Sequence, residues 1–597
     1  MSDRTSKRTA TTKASPAAGP DRPPAPTPEA IDHAFRAAIG KLRGGLSTTA
    51  LASAWTAWAH QLSASSAQQA AITTEGLRRS AEFMDFCARA ASGTPLSPTE
   101  DAGSDADTRF AADAWSQYPF NVWARGFQHS AAWLKALPRT VAALDPKKAD
   151  LVAFTISQWL EALSPTNFLL TNPELLELTR REGGENLRRG AQYLIEDIAR
   201  VTAKQGPVGA EQFAVGTAVA TTPGKVIYRN QLMELLQYVP TTAQVYTEPI
   251  LIVPAWIMKY YILDLSARNS LVKYLVDQGH TVFMISWKNP EPADRDHGMD
   301  DYLDLGPLAA LDAINAISPG RQVHAAGYCI GGTLLAITAA ALAARNAQRL
   351  ASISLFAAQT DFSEPGALSL FINPDQLAML KTQMLETGVL DATQMSGAFQ
   401  MLRPRELVWQ PIIQNYVQGQ REPLTDLMAW NADGTRMPYK MHTEYLYRLY
   451  LDNELATGRF PVHGVPVSLE RLTAPLFVVG TETDHVAPWK SVYKAGALTR
   501  SQDYTFLLTS GGHNAGIVSG PVNAKRTHRV SAATPTEAPL SADAWIVSVL
   551  PQPGSWWPVW QAWLQRRSSG QVDPPTLGAP KDGYSVLGDA PGNYVHG

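Results

Sequence analysis

The segment Gly327-Tyr328-Cys329-Ile330-Gly331 sets a cysteine between glycines placed two residues before and two after it. RQVHAAG, ending in the first of these glycines, is an apolar run of strand character; TLLAITAAALAARN, which follows, is Ala- and Leu-rich and of helical character. Small residues at those two positions let a strand turn sharply into a helix without collision. The intervening side chain then stands exposed at the strand's carboxyl end. There the N–H of Ile330 and the following helix dipole would stabilise negative charge. A lone cysteine in an apolar segment is more often an inert core residue. Strand, elbow and helix in succession outweigh that reading and mark Cys329 as a nucleophile.

Such a nucleophile calls for an acid and a histidine further along the chain, in that order. APLFVVGTETDHVAPW supplies a strand and then a polar turn with Asp484; DYTFLLTSGGHNAG supplies another strand and a Gly-Gly turn with His513. His513 would take the thiol proton while Asp484 orients the imidazole and stabilises its cation. Taken singly, either could be a plain loop residue among twelve histidines and many carboxylates; three strand ends in the required order favour the triad. His485 is a candidate for supporting Asp484, against the bland alternative of a solvated histidine. The second oxyanion donor belongs to the loop after an earlier strand. ILIVPAWIMKYYILDL occupies that place, with a backbone N–H at Trp256 or Ile257; Ile257 is the candidate. A thiol suits a thioester donor, because exchange of one thioester for another keeps the acyl group activated for transfer to a hydroxyl.

These residues need elements to hold them. From about residue 205 onward, apolar runs such as EPILIVPAW, HTVFMISW, ASISLFAAQ and APLFVVG alternate with helical patterns. Strands apolar on both faces imply a parallel sheet covered by helices on both sides. With the elbow, this is the α/β class: an α/β-hydrolase fold over residues 205–597. A helical, aromatic- and Met-rich insertion at about 362–472 would form a cap, and an extended Pro/Gly-rich tail is expected at about 568–597. Residues 29–204 repeat apolar positions at helical spacing and form a mainly helical N-terminal domain. Residues 1–28 read as a disordered Pro/Ala-rich tail. Trp556, Trp560 and Trp563 share one helical face, for which core packing is favoured over contact with product.

Composition narrows the class. The chain of 597 residues exceeds one ordinary core, and 45% hydrophobic with 18% charged residues is a globular balance. A net charge of −3 argues against broad nucleic-acid binding, and two cysteines, Cys87 and Cys329, are too few for a disulfide framework or thiolate metal site. With no signal-like segment and no membrane-spanning run, a cytoplasmic location is expected, with no cofactor and no metal.

In the blocks TTPGKVIYRNQLMELLQY, KYYILDL, NSLVKYLVDQGHTVFMISWKNP, AAGYCIGGTLL, DLMAWNADGTRMPY, TDHVAPW, SGGHNAGIVSGP and GSWWPVWQAW the chain resembles the polyhydroxyalkanoate synthases, specifically their single-subunit, short-chain-preferring class I type. The resemblance runs from about residue 105 to the end. It implies an acyltransferase that polymerises (R)-3-hydroxyacyl-CoA, such as 3-hydroxybutyryl-CoA, into an intracellular polyester with release of CoA. It further implies Cys329 as nucleophile, His513 as base, Asp484 as acid partner, a homodimer, and association with polyester granules. One position departs: the family reads I-N-K-[FY]-Y-I-L-D where this chain has Met258 after Ile257. The competing readings are a cysteine thioesterase or lactone hydrolase of the same fold, and a granule-binding protein whose catalysis has decayed.

Overall fold

A computed structural model describes residues 46–91, 96–98, 107–141, 143–533 and 540–597, so the tail expected at 1–28 lies outside the described residues. Among the described residues, six α-helices precede the sheet: α1 (Thr48–Ser63), α2 (Ser66–Ala90), α3 (Phe120–Ala136), α4 (Pro146–Ala162), α5 (Pro173–Arg181) and α6 (Glu185–Thr202). Side chains that favour N-caps start four of them. Ser47, Ser65, Asp145 and Asn172 each accept a backbone N–H of the first turn. Apolar faces of α1, α3 and α4 meet through Ala54, Ala131, Val152 and Ile156.

The strands that follow are β1 (Gly224–Arg229), β2 (Met233–Tyr238), β3 (Ile250–Val253), β4 (Val282–Trp287), β5 (Val323–Tyr328), β6 (Leu350–Phe356), β7 (Leu476–Thr481), β8 (Tyr504–Thr509), β9 (Thr527–Ala533), β10 (Gln552–Pro553) and β11 (Gly588–Asp589). They form one sheet in the order β10-β9-β8-β7-β6-β5-β3-β4-β2-β1-β11. Its centre, β4-β3-β5-β6-β7-β8, is parallel, while β1, β2, β9, β10 and β11 pair antiparallel at the two flanks. Side chains alternate between two cores. Leu251, Phe283, Ala325, Leu355 and Val478 face the helix Ile330–Ala344, α7; Ile250, Met284, Ala326, Phe356 and Val479 face the other side. There the terminal helix Trp557–Gln565, α8, together with Trp556 just before it, presents Trp556, Trp557, Trp560 and Trp563 to the core, each at most 2% exposed. The aromatic block is therefore core packing.

Between β6 and β7 lies the helical cap, including Pro374–Thr387, Ala392–Leu402, Asp426–Ala432 and Tyr439–Glu444. Its Met384, Met437, Met441 and Leu449 join the sheet's own core. The N-terminal helices grip the cap from outside. Asn186 of α6 donates to Val417 O, Arg421 pairs with Glu196 and Asp197, and Gln158 of α4 donates to Met401 O. The flanking strands β1 and β2 were not legible from pattern, since KVIYRNQLMELLQY mixes charges into its apolar positions. Near the end of the chain β11 pairs with β1 at the sheet's edge, and the tail expected to be extended includes short 3-10 turns at Pro580–Asp582 and Tyr594–His596.

Candidate active site

Cys329 sits between β5 and α7 with φ 54° and ψ −130°, a conformation that side-chain-bearing residues rarely adopt. Its N–H donates to Phe356 O (2.9 Å), and its carbonyl accepts from Gly332 N (2.9 Å) and Thr333 N (3.2 Å). Two flanking glycines make the turn possible by what they lack. A Cβ on Gly327 would lie 2.4 Å from Gly332 Cα, and one on Gly331 would lie 2.4 Å from both Val253 O and Pro254 O. The second contact shows that the loop leaving β3 crosses directly over the start of α7.

Two strands across from β5, β7 ends at Thr481 and leads into the turn carrying Asp484; β8 ends at Thr509 and leads to His513. His513 Nδ1 and Asp484 Oδ2 are 2.8 Å apart, with the Asp484 side chain fully buried and that of His513 12% exposed. Asp484 is saturated with donors. Oδ2 also accepts from Thr481 Oγ1 (2.7 Å), and Oδ1 accepts from the N–H groups of Val486 and Ala487 (2.8 Å each). Burial works to raise this carboxyl, but His513 and these hydrogen bonds prevail and hold it below the usual range. Burial likewise works to lower the imidazole. The charges of Asp484 and of the Cys329 sulfur, with a hydrogen bond to each, push His513 well above its ordinary value. Asp484 and His513 thus form a hydrogen-bonded, buried pair. Around it, the Tyr328 ring packs on the imidazole at 5.5 Å and its hydroxyl donates to Asn514 Oδ1. Trp556 and Trp557 hold the loop beyond His513 through Gly516 O and Ile517 O.

The remaining candidates divide. The N–H groups of Ile330 and Ile257 donate to no acceptor among the described residues, and both residues pack against the same core as Cys329. His485 is exposed and makes no side-chain hydrogen bond among the described residues; support of Asp484 falls to Thr481 and the two backbone donors instead. Thr481 was missed because a threonine closing a strand is unremarkable in sequence. So was the cap segment WNADGTR, which fastens the loop after β3. Thr435 Oγ1 donates to Trp256 O (2.6 Å), Thr435 N to Ile257 O (3.4 Å), and Trp430 Nε1 to Lys259 O (2.8 Å). Met258 bridges Gly434 in that same pairing, which is made by backbone.

Above the thiol stands the cap. Tyr445 donates to the Tyr450 hydroxyl (3.3 Å), and Phe362 packs on Tyr450 at 4.7 Å. Burial first, and then charge at Cys329 among other neighbours, raise both phenols. A strained thiol beside a carboxylate-backed imidazole, with two free N–H donors and an aromatic roof, can accept an acyl group from an activated donor and pass it on.

Known proteins resemble this chain over most of its length. Residues 106–275 match the family described as poly-beta-hydroxybutyrate polymerase (PhaC) N-terminus, residues 26–65 match poly-beta-hydroxybutyrate polymerase N terminal, and residues 248–519 match the alpha/beta hydrolase fold. The poly(3-hydroxyalkanoate) polymerase of Methylorubrum extorquens is 39% identical over 496 residues, covering 82% of this chain and 80% of the relative. The poly(3-hydroxyalkanoate) polymerase subunit PhaC of Rhizobium meliloti is 39% identical, covering 82% and 79%, and that of Cupriavidus necator 36% identical, covering 82% and 83%.

Proposed function

The chain belongs to the poly(3-hydroxyalkanoate) polymerase family, and from that premise we propose that it polymerises short-chain (R)-3-hydroxyacyl-CoA through a thioester on Cys329, releasing one CoA per monomer. The observation that carries the reading is the Asp484–His513 pair, 2.8 Å apart, set at strand ends beside the strained Cys329 elbow.

His513 takes the proton from the Cys329 thiol, and the sulfur attacks the thioester carbonyl carbon. The N–H groups of Ile330 and Ile257 receive the oxyanion. The carbon–sulfur bond to CoA breaks, and the leaving thiolate takes the proton from His513. The 3-hydroxyl of a second acyl group or chain end then attacks the acyl-cysteine, giving its proton to His513. An ester forms, the bond to Cys329 breaks, and the leaving cysteine thiolate takes the proton back from His513, restoring both groups for the next donor. That His513 rather than Asp484 serves the hydroxyl is supported by the four donors already occupying the two Asp484 oxygens. In this reading the partners are acyl-CoA, the growing polyester and its granule surface, and a second copy of the chain; the setting is cytoplasmic, at the granule. Among the described residues no helix is long and apolar enough to cross a membrane.

The test is incubation of purified protein with (R)-3-hydroxybutyryl-CoA, with free CoA followed by a thiol reagent and the acyl product analysed. Insoluble polyester supports the proposal; free hydroxy acid means a hydrolase; no CoA release means a binding protein. Cys329→Ala abolishes CoA release, and Cys87→Ala does not.

A further inference from the structure

Two buried charges near the β1–β2 flank take no part in the acyl-transfer steps. Glu234 on β2 is 0% exposed, and Lys259, two residues beyond Ile257, is 4% exposed. Removing either charge from water is costly unless hydrogen bonds replace the lost hydration. Glu234 Oε1 pairs with the Arg229 guanidinium (2.7 Å to Nε), and the bonds to its Oε2, like those to Lys259, fall on one short segment. Glu234 Oε2 accepts the N–H groups of Asn593 (2.8 Å) and Tyr594 (2.9 Å), and Lys259 Nζ donates to Gly597 O at 2.5 Å, joined there by Asn289 Nδ2 at 3.1 Å. The segment arrives through β11 and turns at Gly592, whose φ is 81° and whose absent Cβ would lie 2.3 Å from Glu234 Oε2. The Tyr594 hydroxyl adds a bond to Asn230 O (2.7 Å).

Covering a sheet edge does not require a buried ammonium. Lys259 stands on the loop that presents the Ile257 N–H, and that loop is held on its other side by Thr435 and Trp430 of the cap. It is therefore gripped from two directions by parts of the chain distant in sequence. We propose that Lys259 is a positioning residue for the oxyanion hole and that residues 593–597 are the strap that holds it. By keeping residues 256–259 in place, the strap aims the Ile257 N–H at the oxyanion formed on Cys329; in this it rests on the acyl-transfer reading above. Loss of one oxyanion donor costs about 10²–10³-fold in kcat, and misplacement by about 1 Å costs about 10²-fold.

The experiment compares full-length protein, Lys259→Met, a deletion of residues 593–597, and the combination. In single turnover with (R)-3-hydroxybutyryl-CoA, each change slows CoA release by about 10- to 100-fold, with KM within about twofold, and the combination is no slower than the worse single change. Alkylation of Cys329 by iodoacetamide keeps its rate, and amide hydrogen exchange at residues 256–259 accelerates in every variant. Unchanged CoA release, multiplicative effects, or alkylation falling in parallel overturns the proposal. Should Lys259→Met fail to fold, the deletion decides by the same readouts. Exchange is read without substrate. Full-length protein that releases no CoA therefore defeats the acyl-transfer reading, whereas unaltered exchange in the variants defeats the strap.

Discussion

Replacing Gly331 by alanine puts a methyl group where the loop after β3 crosses α7. The added Cβ would stand 2.4 Å from both Val253 O and Pro254 O. Ordinary contact begins near 3.4 Å, so about 1 Å must be found. Both obstructing atoms are backbone, at the end of a central strand bonded on both sides, and neither can swing away as a side chain would. The loop itself must yield, carrying residues 256 and 257 away from the elbow. Overpacking of this kind destabilises by about 1–3 kcal/mol, and a donor displaced by about 1 Å loses about 10²-fold in rate. The assay is the initial rate of CoA release from (R)-3-hydroxybutyryl-CoA, beside a thermal melt and the rate of Cys329 alkylation. The expected result is a folded protein with a lower Tm, near-normal alkylation and about 100-fold slower CoA release. Gly397→Ala, in a helix with nothing within 4 Å of the new Cβ, is the control and leaves the rate unchanged. A Gly331→Ala protein of full activity would refute the reasoning, because the loop would then have no part in the chemistry.

Thr481→Val keeps shape and removes one hydrogen bond from the buried Asp484 carboxylate. Such bonds contribute about 1.5–3 kcal/mol, so kcat falls by about tenfold or more with KM unchanged, as measured by steady-state kinetics. Gly190→Ala drives a Cβ to 2.0 Å from Tyr416 O, where α6 meets the cap; limited proteolysis finds residues 410–421 cut faster than in the unaltered protein. At the opposite end of the sheet, burial first pulls His280 down to about 3 and His324 to about 4, and His324 lowers His280 further. Both values are depressed below that of the unfolded chain. The stability they carry is whole above pH of about 6.5 and is lost as pH falls toward about 3. For His280 alone this is on the order of 3 kcal/mol by pH 4. Neither ring nitrogen of His280 has a hydrogen-bond partner among the described residues, so His280→Leu flattens this acid limb in denaturant titrations at pH 7 and pH 4.

What could be read from the linear chain follows from local geometry. A nucleophile elbow needs glycines at two positions and a strand and helix around them, and all four features are contiguous at 323–344. The strand-end positions of Asp484 and His513 were legible because each follows an apolar run with the character of a buried strand. His485 shows the limit of that method: adjacent to Asp484 in sequence, it points to solvent, while Thr481, three residues back, makes the contact. In an extended strand end, the residue that shares a face with a turn carboxylate is set by how the turn folds, and composition does not encode that.

By itself, the sequence determined the strand–turn–helix at Cys329, the strand ends that lead to Asp484 and His513, the α/β layering and the helical insertion, because hydrophobic period and glycine placement act within a few residues of one another. Only the tertiary structure decided which groups complete the site. The cap's Thr435 and Trp430, the terminal helix behind the His513 loop, and the tail reaching Glu234 and Lys259 all lie far along the chain from what they hold. Their roles arise where buried polar groups must find partners once water is excluded, and that requirement exists only after the chain has closed on itself.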